Sequence, residues 1–285
     1  MIPAMSGLAR PEHLATTDWL AETLGRPEVR ILDARWRPDG SAPAVFAAGH
    51  VPGATLVDWR VESVDSGEDG EALRLATAAQ VSALARRAAI SDGSTVVIYD
   101  DTQGLYASRV WWTLRAYGLE SVRVLDGGFP AWLEGHHPVD RRPSVDAQAP
   151  GFTPRGPNRM HLTTADVRGL LGSPEVTLLD ARAPAEYRGF EGNTIRLGHI
   201  PGAVSVPVGS MHVPGSQRLR DGDARRARLH AANVSRGRRM VTYDGSGVAA
   251  AKLAFILTLL GHEDVAVYDG GWAEWGNRLD LPVDR

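Results

Sequence analysis

VTLLDAR, at Val176–Arg182, repeats almost letter for letter a stretch that has already occurred once, VRILDAR at Val29–Arg35. The repetition extends outward in both directions. Gly49–Ala54 (GHVPGA) returns as Gly198–Ala203 (GHIPGA), Val96–Asp100 (VVIYD) as Met240–Asp244 (MVTYD), and Val124–Trp132 (VLDGGFPAW) as Val267–Trp275 (VYDGGWAEW). The blocks keep their order and lie 143 to 149 residues apart, so a whole domain is duplicated and short solenoid units are excluded.

Within each copy, apolar runs bounded by Gly, Asp and Pro alternate with helical windows. This is the pattern of buried parallel strands with helices on both faces of the sheet. Ala107–Gly118 is one such window and ends on the glycine expected just past a helix; Ala249–Gly261 is its counterpart. Leu14–Trp19 and Leu162–Val167 open the copies with a threonine followed by an acidic residue, which predicts a short capped helix at the start of each. The fold class is therefore α/β in tandem: a first domain over 1–140, a Pro-rich aperiodic linker over 141–158 and a second domain over 159–285.

Composition narrows the function classes. The chain has 285 residues, 43% hydrophobic and 23% charged, with a net charge of -3, so it offers no overall basic footprint for nucleic acid. No window has the length of apolar sequence that crosses a bilayer, and the N-terminus lacks a secretory pattern; the expectation is a cytoplasmic protein without membrane contact. There is no cysteine, which removes disulfides, thiolate metal sites and thiol nucleophiles. The nine histidines show no ligand spacing, so neither metal nor cofactor is expected.

The chemistry of an open α/β sheet gathers where strands end and helix N-termini begin. Asp244-Gly245-Ser246-Gly247-Val248-Ala249-Ala250 occupies that place, and its glycines let successive N–H groups turn toward one point, an anion cradle at the start of a helix.

Taken together, the duplicated LDAR, GHIPGA, YDGSGVAAA and YDGGWAEW blocks resemble the two-domain rhodanese family, the thiosulfate and 3-mercaptopyruvate sulfurtransferases, over nearly the whole chain. The resemblance implies a silent first domain and, in the second, a loop cysteine that takes sulfur as a persulfide and passes it to an acceptor. That cysteine's position is Asp244. Gly245–Val248 is similar to the loop of the mercaptopyruvate subgroup, and a small anionic sulfur compound is the implied ligand. For that ligand Arg188 is the leading candidate, with Arg182 and Glu186 beside it; Glu186 stands where animal members carry an arginine. Some mercaptopyruvate enzymes are proposed to pair the loop serine with a first-domain histidine and aspartate, yet the matching region Val57–Leu75 has acidic residues and no histidine, which leaves Ser246 without a base.

For Asp244 the expectation is a carboxylate held by its own loop N–H groups, with a lowered pKa and no chemistry, as for Asp100 in the first copy. Arg182, matched by Arg35, is expected in a structural ion pair. His50 and His199 are expected to stabilise turns, the Asp-Gly-Gly blocks to be backbone turns, and Trp111, Trp112, Trp272 and Trp275 to be core or interface residues. Two other functions stay open: a regulatory module binding a small anion or a protein partner, and a hydrolase using Asp244, against which stands the lack of a cation in the loop before Lys252.

Overall fold

The computed structural model describes residues 7–67, 73–143, 151–234 and 238–285. The first domain runs β1 (Leu14–Ala15), α1 (Thr17–Thr23), β2 (Val29–Asp33), α2 (Ala42–Ala48), β3 (Ala54–Leu56), α3 (Trp59–Glu62), β4 (Val64–Asp65), β5 (Arg74–Leu75), α4 (Ala78–Arg87), β6 (Thr95–Tyr99), α5 (Leu105–Ala116), β7 (Val122–Leu125) and α6 (Gly128–Glu134). The second runs β8 (His161–Leu162), α7 (Thr164–Leu170), β9 (Val176–Asp180), α8 (Pro184–Tyr187), β10 (Val204–Ser205), α9 (Gly222–Ala231), β11 (Arg239–Tyr243), α10 (Val248–Leu259), β12 (Val265–Tyr268) and α11 (Gly271–Trp275).

Both main sheets have five parallel strands in the same spatial order, β1-β7-β6-β2-β3 and β8-β12-β11-β9-β10. Each LDAR block forms the strand beside the centre of its sheet, in register with the strand that leads to the loop: Asp33 pairs with Tyr99 and Asp180 with Tyr243. The expected Thr caps are present, with Thr16 Oγ1 accepting from Trp19 N–H and Thr163 Oγ1 from Asp166 N–H. One detail differs from expectation. A two-residue strand precedes each capped helix, because Leu14–Ala15 and His161–Leu162 pair with the far edge of the sheet before the chain turns.

The core has three parts. Leu20, Phe46 and Trp132 cover the outer face of the first sheet, and Val167, Trp272 and Trp275 that of the second. The inner faces share one core, in which Trp111 and Trp112 of α5 lie in the same cluster as Phe255 and Leu253 of α10. Trp111, Trp112, Trp272 and Trp275 are all buried, as expected. Helix α10 is buried around nearly its whole circumference, consistent with its near absence of polar residues. Residues 144–150 of the linker lie outside the described residues. The rest of it docks on the first domain, where Phe152 is buried and its N–H donates to Ile90 O.

Candidate functional site

Strand β11 ends at Tyr243, and Asp244 begins the loop into α10, whose N-cap is Gly247 at φ 79°. The Asp244 side chain turns back into the loop. Its Oδ1 accepts from Gly247 N–H at 2.5 Å and its Oδ2 from Ala249 N–H at 3.2 Å, and the residue is 6% exposed. Behind it, the Asp244 carbonyl accepts from Trp272 N–H at 2.6 Å. Gly271, at φ 54°, is packed so closely that a Cβ there would lie 2.3 Å from that carbonyl. The Asp-Gly-Gly block is thus more than a turn: it clamps the start of the loop, and only glycine fits.

The first domain repeats the construction. Asp100 Oδ1 accepts from Thr102 and Gly104 N–H, and Oδ2 from Tyr106 and Ala107 N–H, all at 2.8 to 2.9 Å. Phe129 N–H donates to the Asp100 carbonyl, and Gly128 leaves no room there for a Cβ. The loop of the second copy therefore carries the same carboxylate-in-cradle arrangement as that of the first.

The electrostatic expectation is corrected. Burial pushes the Asp244 carboxyl above its usual range, and the N–H groups of Ala249, Gly247, Ser246 and Ala250 oppose that shift without cancelling it. Desolvation outweighs hydrogen bonding because the carboxylate has almost no water contact. The sign for stability follows: a carboxyl that holds its proton more tightly when folded contributes most below about pH 3.9. That contribution is lost as pH rises through the folded pKa. Urea unfolding from pH 4 to 7 is expected to show the stability gap between the wild type and Asp244→Ala narrowing as pH rises; a widening gap would mean that folding favours the ionised form.

The cation missing from the loop comes from the other domain. Arg109 of α5 is fully buried, donating from one terminal nitrogen to Gly247 O at 3.2 Å and from the other to Leu73 O and Arg74 O at 3.0 and 2.9 Å. Its guanidinium lies 4.7 Å from the Trp112 ring centroid. Burial pulls its pKa down to about 10, with Asp269 and Asp244 acting in the opposite direction. Asp269, at the end of β12, takes Leu75 N–H of the first domain on Oδ2 and faces His161 Nε2 at 3.1 Å on Oδ1. The sequence assigned no role to Arg109 or His161 and placed Asp269 only in a backbone turn. A signal existed for Arg109: it and Lys252 are the only charged residues within otherwise apolar or small stretches of their helices, RVWW and AAAKLAFIL.

Lys252 is the reciprocal element. Buried in α10, it has a pKa lowered to about 8 by desolvation, and its opposing partner is Asp100 of the first domain. Likewise Leu219 N–H of the second domain reaches Asp126 at the end of β7, with Arg218 3.6 Å from the same carboxylate.

The remaining candidates lie apart from this cluster. Arg182 forms a buried bidentate pair with Asp180 and donates to Gly198 O, as Arg35 does with Asp33 and Gly49 O. Glu186 accepts from Ala183 N–H at the start of α8, and Arg188 is exposed beside the Phe190 ring. Ser246 is half-buried, with no hydrogen bond from its hydroxyl among the described residues. His50 and His199 each place Nδ1 2.9 Å from a carbonyl oxygen, of Phe46 and Tyr187, and pin the turns. Among the described residues no group of acidic or histidine side chains could hold a metal ion, and no helix is long and apolar enough to cross a membrane.

The family description "Rhodanese-like domain" matches residues 16–135 and again residues 163–278. The chain belongs to the rhodanese family. A relative in Mycobacterium tuberculosis, "Putative thiosulfate sulfurtransferase SseB", is 37% identical over 289 residues, covering 97% of this chain and 98% of the relative. The "3-mercaptopyruvate sulfurtransferase" of Escherichia coli strain K12 is 31% identical, covering 94% and 96%. The crystal structure of SseA from Escherichia coli, a 3-mercaptopyruvate sulfurtransferase, superposes with a TM-score of 0.79 at 26% identity, over 91% of this chain and 98% of that one. This rhodanese carries Asp244 where the family's sulfur-carrying cysteine stands, in a chain without any cysteine.

Proposed function

We propose that this rhodanese keeps the sulfurtransferase scaffold without persulfide chemistry. The observation that supports it is the Asp244 carboxylate seated in its own cradle, its oxygens taking the N–H groups of Gly247 and Ala249. Persulfide transfer needs a thiolate that attacks a sulfur and keeps it as a sulfur–sulfur bond; a carboxylate oxygen has no equivalent bond to offer. A thiosulfate or mercaptopyruvate anion approaching the loop would also meet a side chain that already occupies the anion position.

The Asp-dependent hydrolase is less well supported. Arg109 does bring a cation, but its two terminal nitrogens are engaged by three backbone carbonyls, and Asp244 is nearly sealed from solvent. The test is cyanide-dependent sulfur release from thiosulfate and from 3-mercaptopyruvate. The wild type is expected to give none above the no-enzyme blank, and Asp244→Cys to gain one sulfur in mass when mixed with donor. Wild-type turnover comparable to a cysteine-bearing relative would overturn the reading.

A further inference from the structure

A cleft of about 380 Å³ opens where the β4–β5 hairpin of the first domain meets the ends of β8 and β12 in the second. That is within the range of small-ligand pockets, roughly 300 to 1,000 Å³, and at its lower end. The first-domain wall presents Asp65 and Arg74; the second-domain wall presents Glu274 and Arg278; the His161–Asp269 pair lines the space between.

Asp65 and Arg74 are direct cross-strand partners in the antiparallel hairpin, a geometry that puts Cβ atoms roughly 5 Å apart and normally lets opposite charges pair. Here they form no ion pair with each other, and Arg74 has none with any described residue. On the opposite wall the charges are already committed: Glu274 binds Thr164 Oγ1, and Arg278 lies 2.7 Å from Asp280. Among the described residues the cleft therefore holds one carboxylate without a cationic partner, Asp65, whose Oδ1 accepts from Gly67 N–H and whose Oδ2 is open. Beside it is one guanidinium without an acidic partner, Arg74, and opposite are the buried hydroxyls of Thr164 and Tyr268, which hydrogen-bond each other at 2.9 Å.

From this juxtaposition we propose that the interdomain cleft is a binding site for a small polar α-amino acid, its ammonium on Asp65, its carboxylate on Arg74 and its side chain toward Thr164 and Tyr268. An α-amino acid carries its two charges one carbon apart, matching neighbouring cross-strand side chains, and a ligand held by both domains would raise the stability of the folded chain. The site lies over the β12–β8 side of the sheet and does not depend on what Asp244 does.

Titration calorimetry and thermal shift on the full chain would test it with the proteinogenic α-amino acids as probes, L-serine first. L-Lactate, which lacks the ammonium, and ethanolamine, which lacks the carboxylate, are the controls. The expected result is binding of at least one small polar amino acid, none of either control, and at least about a tenfold weaker affinity in Asp65→Asn and in Arg74→Gln, the loss of one hydrogen bond to a charged group. Both substitutions are on the hairpin surface, so the unliganded melting temperature should stay near that of the wild type and would expose a folding defect. Absence of binding by every amino acid would overturn the proposal. So would equal binding by lactate or ethanolamine, or affinity unmoved in both variants.

Discussion

Arg182→Met is expected to lower the unfolding free energy by about 3 to 5 kcal/mol, the cost of leaving one member of a buried ion pair without the other. Asp180 is fully buried, and it would lose a bidentate partner at 2.6 to 3.1 Å while Gly198 O lost its donor. The guanidinium also lies 4.6 Å from the Trp272 ring centroid, so packing under α11 would suffer as well. Urea unfolding at pH 7 would measure the change. Arg35→Met, which strands Asp33 in the same geometry, is expected to cost a similar amount. A loss below about 1 kcal/mol in both would put these pairs in the range of exposed salt bridges and contradict their burial.

Arg109→Met is expected to destabilise the chain by about 2 to 4 kcal/mol, because three carbonyls lose a charged donor and the Asp244 and Asp269 carboxylates lose a nearby cation. Methionine preserves much of the volume, so a cavity is not the main cause. Lys252→Met supplies the contrast. Lys252 occupies the matching position in α10 but donates no hydrogen bond to a described residue, so its replacement is expected to be neutral or mildly stabilising. Equal losses in the two variants would show that buried charge alone, and not the hydrogen bonds, determines the effect.

The duplicated blocks made the fold legible, since each fixes a place where the backbone has little choice. LDAR carries its own buried ion pair two residues apart, and Gly198 tolerates no side chain because a Cβ would sit 2.0 Å from Asp284 O. The loop at Asp244 was legible for the same reason: its glycines and its place after β11 determine where its N–H groups point. What the sequence did not disclose are relations between halves. Arg109 lies 138 residues from Gly247, and Leu75 lies 194 residues from Asp269. No local pattern links such residues; only the packing of α5 on α10 does. The Asp244 pKa was misjudged because hydrogen bonds can be inferred from a loop's glycines, whereas the loss of water depends on the tertiary packing around the side chain.

The exchange between α5 and α10 gives the chain the contact logic of an isologous dimer fused into one polypeptide. Residue i of one half meets residue j of the other, and the converse also holds: Arg109 with the Asp244 loop and Lys252 with Asp100, Leu75 with Asp269 and Leu219 with Asp126. Each half is therefore the missing wall of the other half's loop. A substitution that changes charge in one loop alters the surroundings of a cation rooted in the opposite domain, so the charge balance of each loop is set jointly by both copies.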